Sequence, residues 1–158
     1  MVSVSRTIGF VLLVGCTMFT TGCGSSNKGK IEGKWKVTAF PEKTSGKNKQ
    51  DMDEIAKAGM YIYLEFKADG GLTVGLGADK PEMLAIVKAA SPNQKITWDA
   101  KYKLLSGDGV EVTDMPKDMQ SGGGLFGQKD KARVKVNITG DQMSLTDNEG
   151  VTKLTKIP

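Results

Sequence analysis

The stretch "KITWDAKYKL" (Lys95–Leu104) alternates without a break. Ile96, Trp98, Ala100, Tyr102 and Leu104 share one parity; Lys95, Thr97, Asp99, Lys101 and Lys103 share the other. Successive strand side chains point to opposite faces, so this pattern predicts a strand with one buried and one wet face, as in antiparallel sheet. The same period runs through "KWKVTAF" (Trp35, Val37, Ala39), "YIYLEFKA" (Ile62, Leu64, Phe66, Ala68) and "ARVKVNI" (Ala132, Val134, Val136, Ile138).

Shorter strands follow turn signals. "ADGG" (68–71) leads to Leu72, Val74 and Leu76; "SGDG" (106–109) leads to Val110 and Val112. "TGDQ" (139–142) leads to Met143 and Leu145, and "DNEG" (147–150) leads to "VTKLTKI". Gly and Asp accept the positive φ of tight hairpins, so each signal predicts a hairpin. In the last strand Val151, Leu154 and Ile157 fall out of phase, which predicts a bulge or an edge. About eight strands in sequential hairpins close most economically into an up-and-down barrel, which leaves no edges.

Two helical inserts interrupt the strands. "DMDEIAKAG" has Asp51 and Glu54 in capping-box spacing and Gly59 as a stop. "DKPEMLAIVKAASP" repeats the relation with Asp79 and Glu82, sets Met83, Leu84 and Val87 on one side, and stops at Ser91-Pro92.

Together "IEGKWKV", "YLEFKADGGLTV", "YKLLSGDGVEVT" and "VNITGDQMSLTDNEG" resemble the small bacterial lipocalin-like domains. Those have a Gly-x-Trp opening strand, a Phe-x-x-Asp-Gly hairpin, a Tyr-Lys hairpin and a closing pair. The resemblance spans about residues 31–157 and implies an all-β fold: a small antiparallel up-and-down (lipocalin-like) barrel with two short helical inserts. It brings no catalytic residues with it. Ala78–Asn93 and the Gly-rich stretch 121–127 are longer than the pattern needs.

Before the barrel, "MVSVSRT" carries one positive charge, "IGFVLLVGCTMF" is apolar over Ile8–Phe19, and small residues precede a cysteine. This is the layout of a secretory signal; a membrane span needs about 20 apolar residues. An apolar residue, two small residues and a Cys resemble the lipobox of bacterial lipoprotein signals, which implies that the Cys is acylated and becomes the first mature residue. "LVGC", ending at Cys16, is the better local match, whereas "TTGC", ending at Cys23, has Thr20 where an aliphatic is usual. Spacing favours Cys23, because cleavage before Cys16 leaves an apolar centre of only six residues, Ile8–Leu13. The expected organisation is therefore a signal peptide over 1–22, a polar tether over 23–30 beginning at acylated Cys23, and a barrel domain over 31–158. The expected location is the cell envelope, membrane-anchored and periplasm-facing on the outer membrane.

The 158 residues carry 22 Lys+Arg and 18 Asp+Glu, a net charge of +4. That excess is too small and too dispersed for a nucleic-acid binder. There is no histidine, and no cysteine follows Cys23. Histidine-based catalysis, zinc sites of N and S ligands, and a disulfide within the domain are thereby excluded. No cofactor, metal site or catalytic constellation is expected, and the chain reads as a non-enzyme.

The candidate ligand-lining residues are Trp35, Phe66, Trp98 and Tyr102, all of inward parity. An eight-stranded barrel either fills with side chains or holds one small ligand, and rings this bulky favour filling. If a cavity exists, insert 79–91 is its lid. "SGGGLFGQKD" (121–130) fails as a phosphate loop, since Lys129 stands two past Gly127 and a strand follows. Its Leu125-Phe126 tip is a candidate contact for a partner or membrane. Asp51/Asp53/Glu54 and Asp147/Glu149 read as helix-start and turn residues. Lys28, Lys30, Lys34 and Lys36 are candidates for contact with anionic headgroups, against the plainer reading of a solvated tether. The expected task is binding a small apolar ligand or an envelope protein through the barrel mouth. The alternative is a structural or interaction protein with a filled core that binds through its loops.

Overall fold

The computed structural model describes residues 25–41, 53–93, 95–117 and 131–158. Eight strands follow in order: β1 (Gly33–Ala39), β2 (Met60–Phe66), β3 (Gly71–Ala78), β4 (Thr97–Leu104), β5 (Gly109–Thr113), β6 (Ala132–Thr139), β7 (Gln142–Thr146) and β8 (Val151–Ile157). Each pairs antiparallel with the next and β8 pairs with β1, which closes the barrel. This is the expected up-and-down architecture, consistent with a lipocalin-like fold.

The alternation seen in the sequence sorts the faces. In β4 only the Trp98, Ala100, Tyr102 and Leu104 parity is withdrawn from solvent, while Thr97, Asp99, Lys101 and Lys103 are exposed. In β6 Ala132, Val134 and Val136 are buried between exposed Arg133, Lys135 and Asn137. Trp35, Leu64, Phe66, Leu72, Val110, Val112, Met143, Leu145 and Leu154 join them in one interior cluster. Burying such side chains is worth about 1.5–3 kcal/mol each, which makes this the main stabilising term.

The poor phase of the last strand resolves differently from an edge. Thr152 and Leu154 point inward, 2% and 0% exposed, and Val151 points outward. The strand is paired on both sides, and the irregularity sits across the seam, where the β1 register slips between Val37 and Ala39.

Residues 53–57 are helical, and Gly59 ends that turn at φ +70; Asp51 lies outside the described residues. A second helix spans Pro81–Ala90. The expected Asp79–Glu82 capping box does not form. Lys80 holds the N-cap position without a side-chain bond, and Asp79 is drawn instead to Lys36, 2.8 Å away. Pro81 opens the helix and has no N–H to be capped. Among the described residues, no helix is long and apolar enough to cross a membrane.

Candidate functional site

The strand directions give the barrel two unlike ends. One carries the tight connections β2–β3, β4–β5 and β6–β7, at residues 67–70, 105–108 and 140–141. The connections β1–β2, β3–β4 and β5–β6 and the short β7–β8 turn (147–150) leave from the other, which is termed the loop end; the Pro81–Ala90 helix lies there against β3.

Residues 25–31 stopper the tight end. Lys30 and Ile31 N–H donate to the Asn27 carbonyl at 3.0 and 3.1 Å, and Gly29 turns the chain at φ +76. Asn27, 3% exposed, donates through Nδ2 to the Val136 carbonyl at 2.8 Å. Ile31 is fully buried, and its carbonyl accepts from Trp35 Nε1 at 2.7 Å. Ser26 donates to Asp108 Oδ1 from its N–H at 2.9 Å and from its hydroxyl at 2.7 Å. The Ser26 hydroxyl bond, helped by the Ser26 N–H, the Ser25 hydroxyl and the charge of Lys135, holds Asp108 below the ordinary aspartate range. Of the expected free tether, residues 23 and 24 lie outside the described residues, and 25–30 are docked on the barrel. The polar residues that suggested a flexible segment serve as turn formers and bond donors there.

The four candidate lining residues do not share one wall. Trp35 lies beneath the stopper, fully buried. Phe66 meets Tyr102 edge-on with centroids 5.0 Å apart, and Tyr102 donates its hydroxyl to the Lys67 carbonyl in the adjoining hairpin. These three fill the tight half. Trp98 stands apart toward the loop end, opposite Val74 in the ladder. Its Nε1 is hidden from solvent and has no acceptor among the described residues.

At the loop end the Pro81–Ala90 helix is mostly apolar yet buries none of its residues. Met83, Leu84 and Val87 are half-buried and Ile86 is 58% exposed. Cys23, Cys16 and the 121–127 stretch with its Leu125-Phe126 tip lie outside the described residues.

The outer face holds a lattice that sequence reasoning missed. Tyr63 and Tyr61 of β2 face Gly75 and Gly77 of β3 in direct register. Lys34 Nζ lies 3.9 Å from the Tyr63 ring centre, and Lys36 Nζ lies 4.3 Å from that of Tyr61. Burial foremost, then Glu65, Asp99 and Tyr61, raises Tyr63 above the usual phenol range. Lys34 and Lys36 thus engage the barrel's own wall. The signal was the paired tyrosines on the wet parity of β2 opposite paired glycines of β3. On β5 and β6, Glu111 accepts from Lys131 and Arg133 at 2.8 Å each, and these bonds lower its pKa. Asp147 accepts from the N–H groups of Glu149 and Gly150, the turn role expected for it.

A recess of about 150 Å³ lies on the outer face of β6, β7 and β8, between Asn137, Gln142, Ser144 and Lys153. It is smaller than the roughly 300–1,000 Å³ of ordinary ligand sites. Among the described residues, no group of three or more Asp, Glu or Cys is placed to hold a metal.

The fold and the two ends are those of a closed up-and-down barrel, which is compatible with a binding or interaction domain. Comparison with protein-family models, with curated proteins and with solved structures found no match to this chain.

Proposed function

We propose that the chain is a lipid-anchored protein of the cell envelope, held by acylated Cys23, whose lipocalin-like barrel binds a partner through its loop end. One observation carries the binding half. The tight half is occupied by its own rings, whereas the loop end presents an apolar helix with no buried residue. Apolar surface left uncovered favours contact with another molecule. The lipobox-like run before Cys23 supports the anchor.

A second reading, uptake of a small apolar ligand beneath that helix, is favoured by the Trp98 N–H, which has no acceptor among the described residues. A hidden indole donor without an acceptor is costly, and a ligand oxygen would relieve it.

Two measurements test these readings. Intact mass of the membrane-extracted protein should show a chain beginning at Cys23 with added acyl mass, lost in Cys23→Ala; a start at Cys16, or no lipid, refutes the anchor. A photo-crosslinker placed by Ile86→Cys should then trap a discrete adduct in cells, while N-phenylnaphthylamine shows no saturable uptake. Saturable uptake that quenches Trp98, with no adduct, would favour the small-ligand reading instead.

A further inference from the structure

The docked segment constrains how an anchored barrel stands on its membrane. Cys23 precedes Ser25 by two residues, and a residue spans at most about 3.3–3.6 Å, so the anchor sulfur's backbone lies within about 7 Å of the stoppered end. Strands of eight residues such as β4 rise about 26 Å. A leash this short cannot carry an acyl chain from the stoppered end around to the loop end. Acylation at Cys16 would leave nine residues, a reach of about 30 Å, and the barrel could then invert.

Charge at the stoppered end agrees with this geometry. Lys28, Lys30, Lys67, Lys103, Lys135 and Lys156 are exposed around it. Among the described residues none of the six is in an ion pair. Two acids of the same end are hydrogen-bonded at the surface and keep their charge there: Asp69 accepts from Gly71 N–H at 2.9 Å and Asp108 from Ser26. With Glu32, Glu65 and Asp141 they offset most of the lysine charge and leave a small positive excess. A positive rim within a Debye length of anionic headgroups is attracted to them.

We infer that the stoppered end is the membrane-facing surface, with its lysine rim on anionic lipid headgroups. The loop end, with Trp98 and the Pro81–Ala90 helix, then points away from the membrane that holds the protein. This rests on acylation at Cys23. It also means that the apolar helix is presented to a molecule in the aqueous space and not to the protein's own bilayer.

The test uses the acylated protein in phosphatidylglycerol–phosphatidylcholine vesicles. No cysteine follows Cys23, whose sulfur is blocked by the lipid, so Lys103→Cys and Ile86→Cys each give one labelling site at an exposed position. A bimane at each site is read against a headgroup-bound nitroxide. Quenching should be several-fold stronger at 103 than at 86, and the double change Asn27→Ala/Asp108→Ala, which frees the segment, should narrow the difference. Vesicle-bound protein quenched equally at both sites, or more at 86, overturns the orientation while the anchor stands. Protein that does not float with the vesicles refutes the anchor, and the orientation with it.

Discussion

Tyr63 stands opposite Gly75 in the β2–β3 ladder, and its ring occupies the space that a side chain at position 75 would fill. A Cβ built there would lie 2.6 Å from Tyr63 Cζ. The glycine is therefore fixed by its neighbour's ring and not by its own backbone. The ring in turn covers the bare strand, as aromatic residues do where glycine leaves a sheet without side chains.

Gly75→Ala should therefore destabilise the barrel by about 1–3 kcal/mol, the usual cost of overpacking. In a Tyr63→Ala background the same change should cost much less, since alanine suits a strand better than glycine. Urea unfolding of the four proteins of this cycle measures the difference, and additivity would refute the contact.

Asn27→Ala should cost about 1–3 kcal/mol, because it leaves the Val136 carbonyl buried without its donor. The loss should appear in hydrogen exchange as weakened protection of residues 25–31 ahead of the strands.

The two tryptophans should answer oppositely to loss of their N–H. Trp35→Phe abandons the bond to the Ile31 carbonyl, whereas Trp98→Phe removes a donor that has no acceptor among the described residues. Trp35→Phe should be the more destabilising by about 1 kcal/mol or more in thermal or urea unfolding.

Docking of the stopper should weaken in acid. Asp108 is held below its ordinary pKa in the folded chain, so the stabilisation it supplies is fully present above the unfolded aspartate value, about 3.9. It is lost as pH falls from there through the lowered folded value. The Ser26 amide resonance should shift over that window, and Asp108→Asn should abolish the titration. A shift centred above the ordinary aspartate range would assign the transition to another group.

The wall of the barrel was legible in the sequence because a half-buried strand writes its burial at every second residue. The runs through Trp98–Leu104 and Ala132–Ile138 named both the strands and their inward faces. What escaped were features held by one or two polar atoms. Ser25–Lys30 has the composition of a loose linker, and only the placement of Asp108 and the Val136 carbonyl, more than eighty residues away, turns it into a stopper. Asp79 had capping spacing, but Lys36 of β1 competes for its carboxylate and Pro81 removes the need. The four rings lie on the withdrawn parity of their strands, yet strand parity carries no information about height along the barrel, which is what separates Trp98 from the other three.

The seam between β1 and β8 also sets an order of events. Trp35 must pair with Lys156, so the first strand has no second neighbour until the last has been made and delivered. Contacts this distant along the chain close slowly, which places such barrels among the slower folders. A chain threaded across a membrane from its N-terminus would stay unclosed throughout the passage. On the proposed acylation, Cys23 would be modified while the stopper still had no barrel to enter.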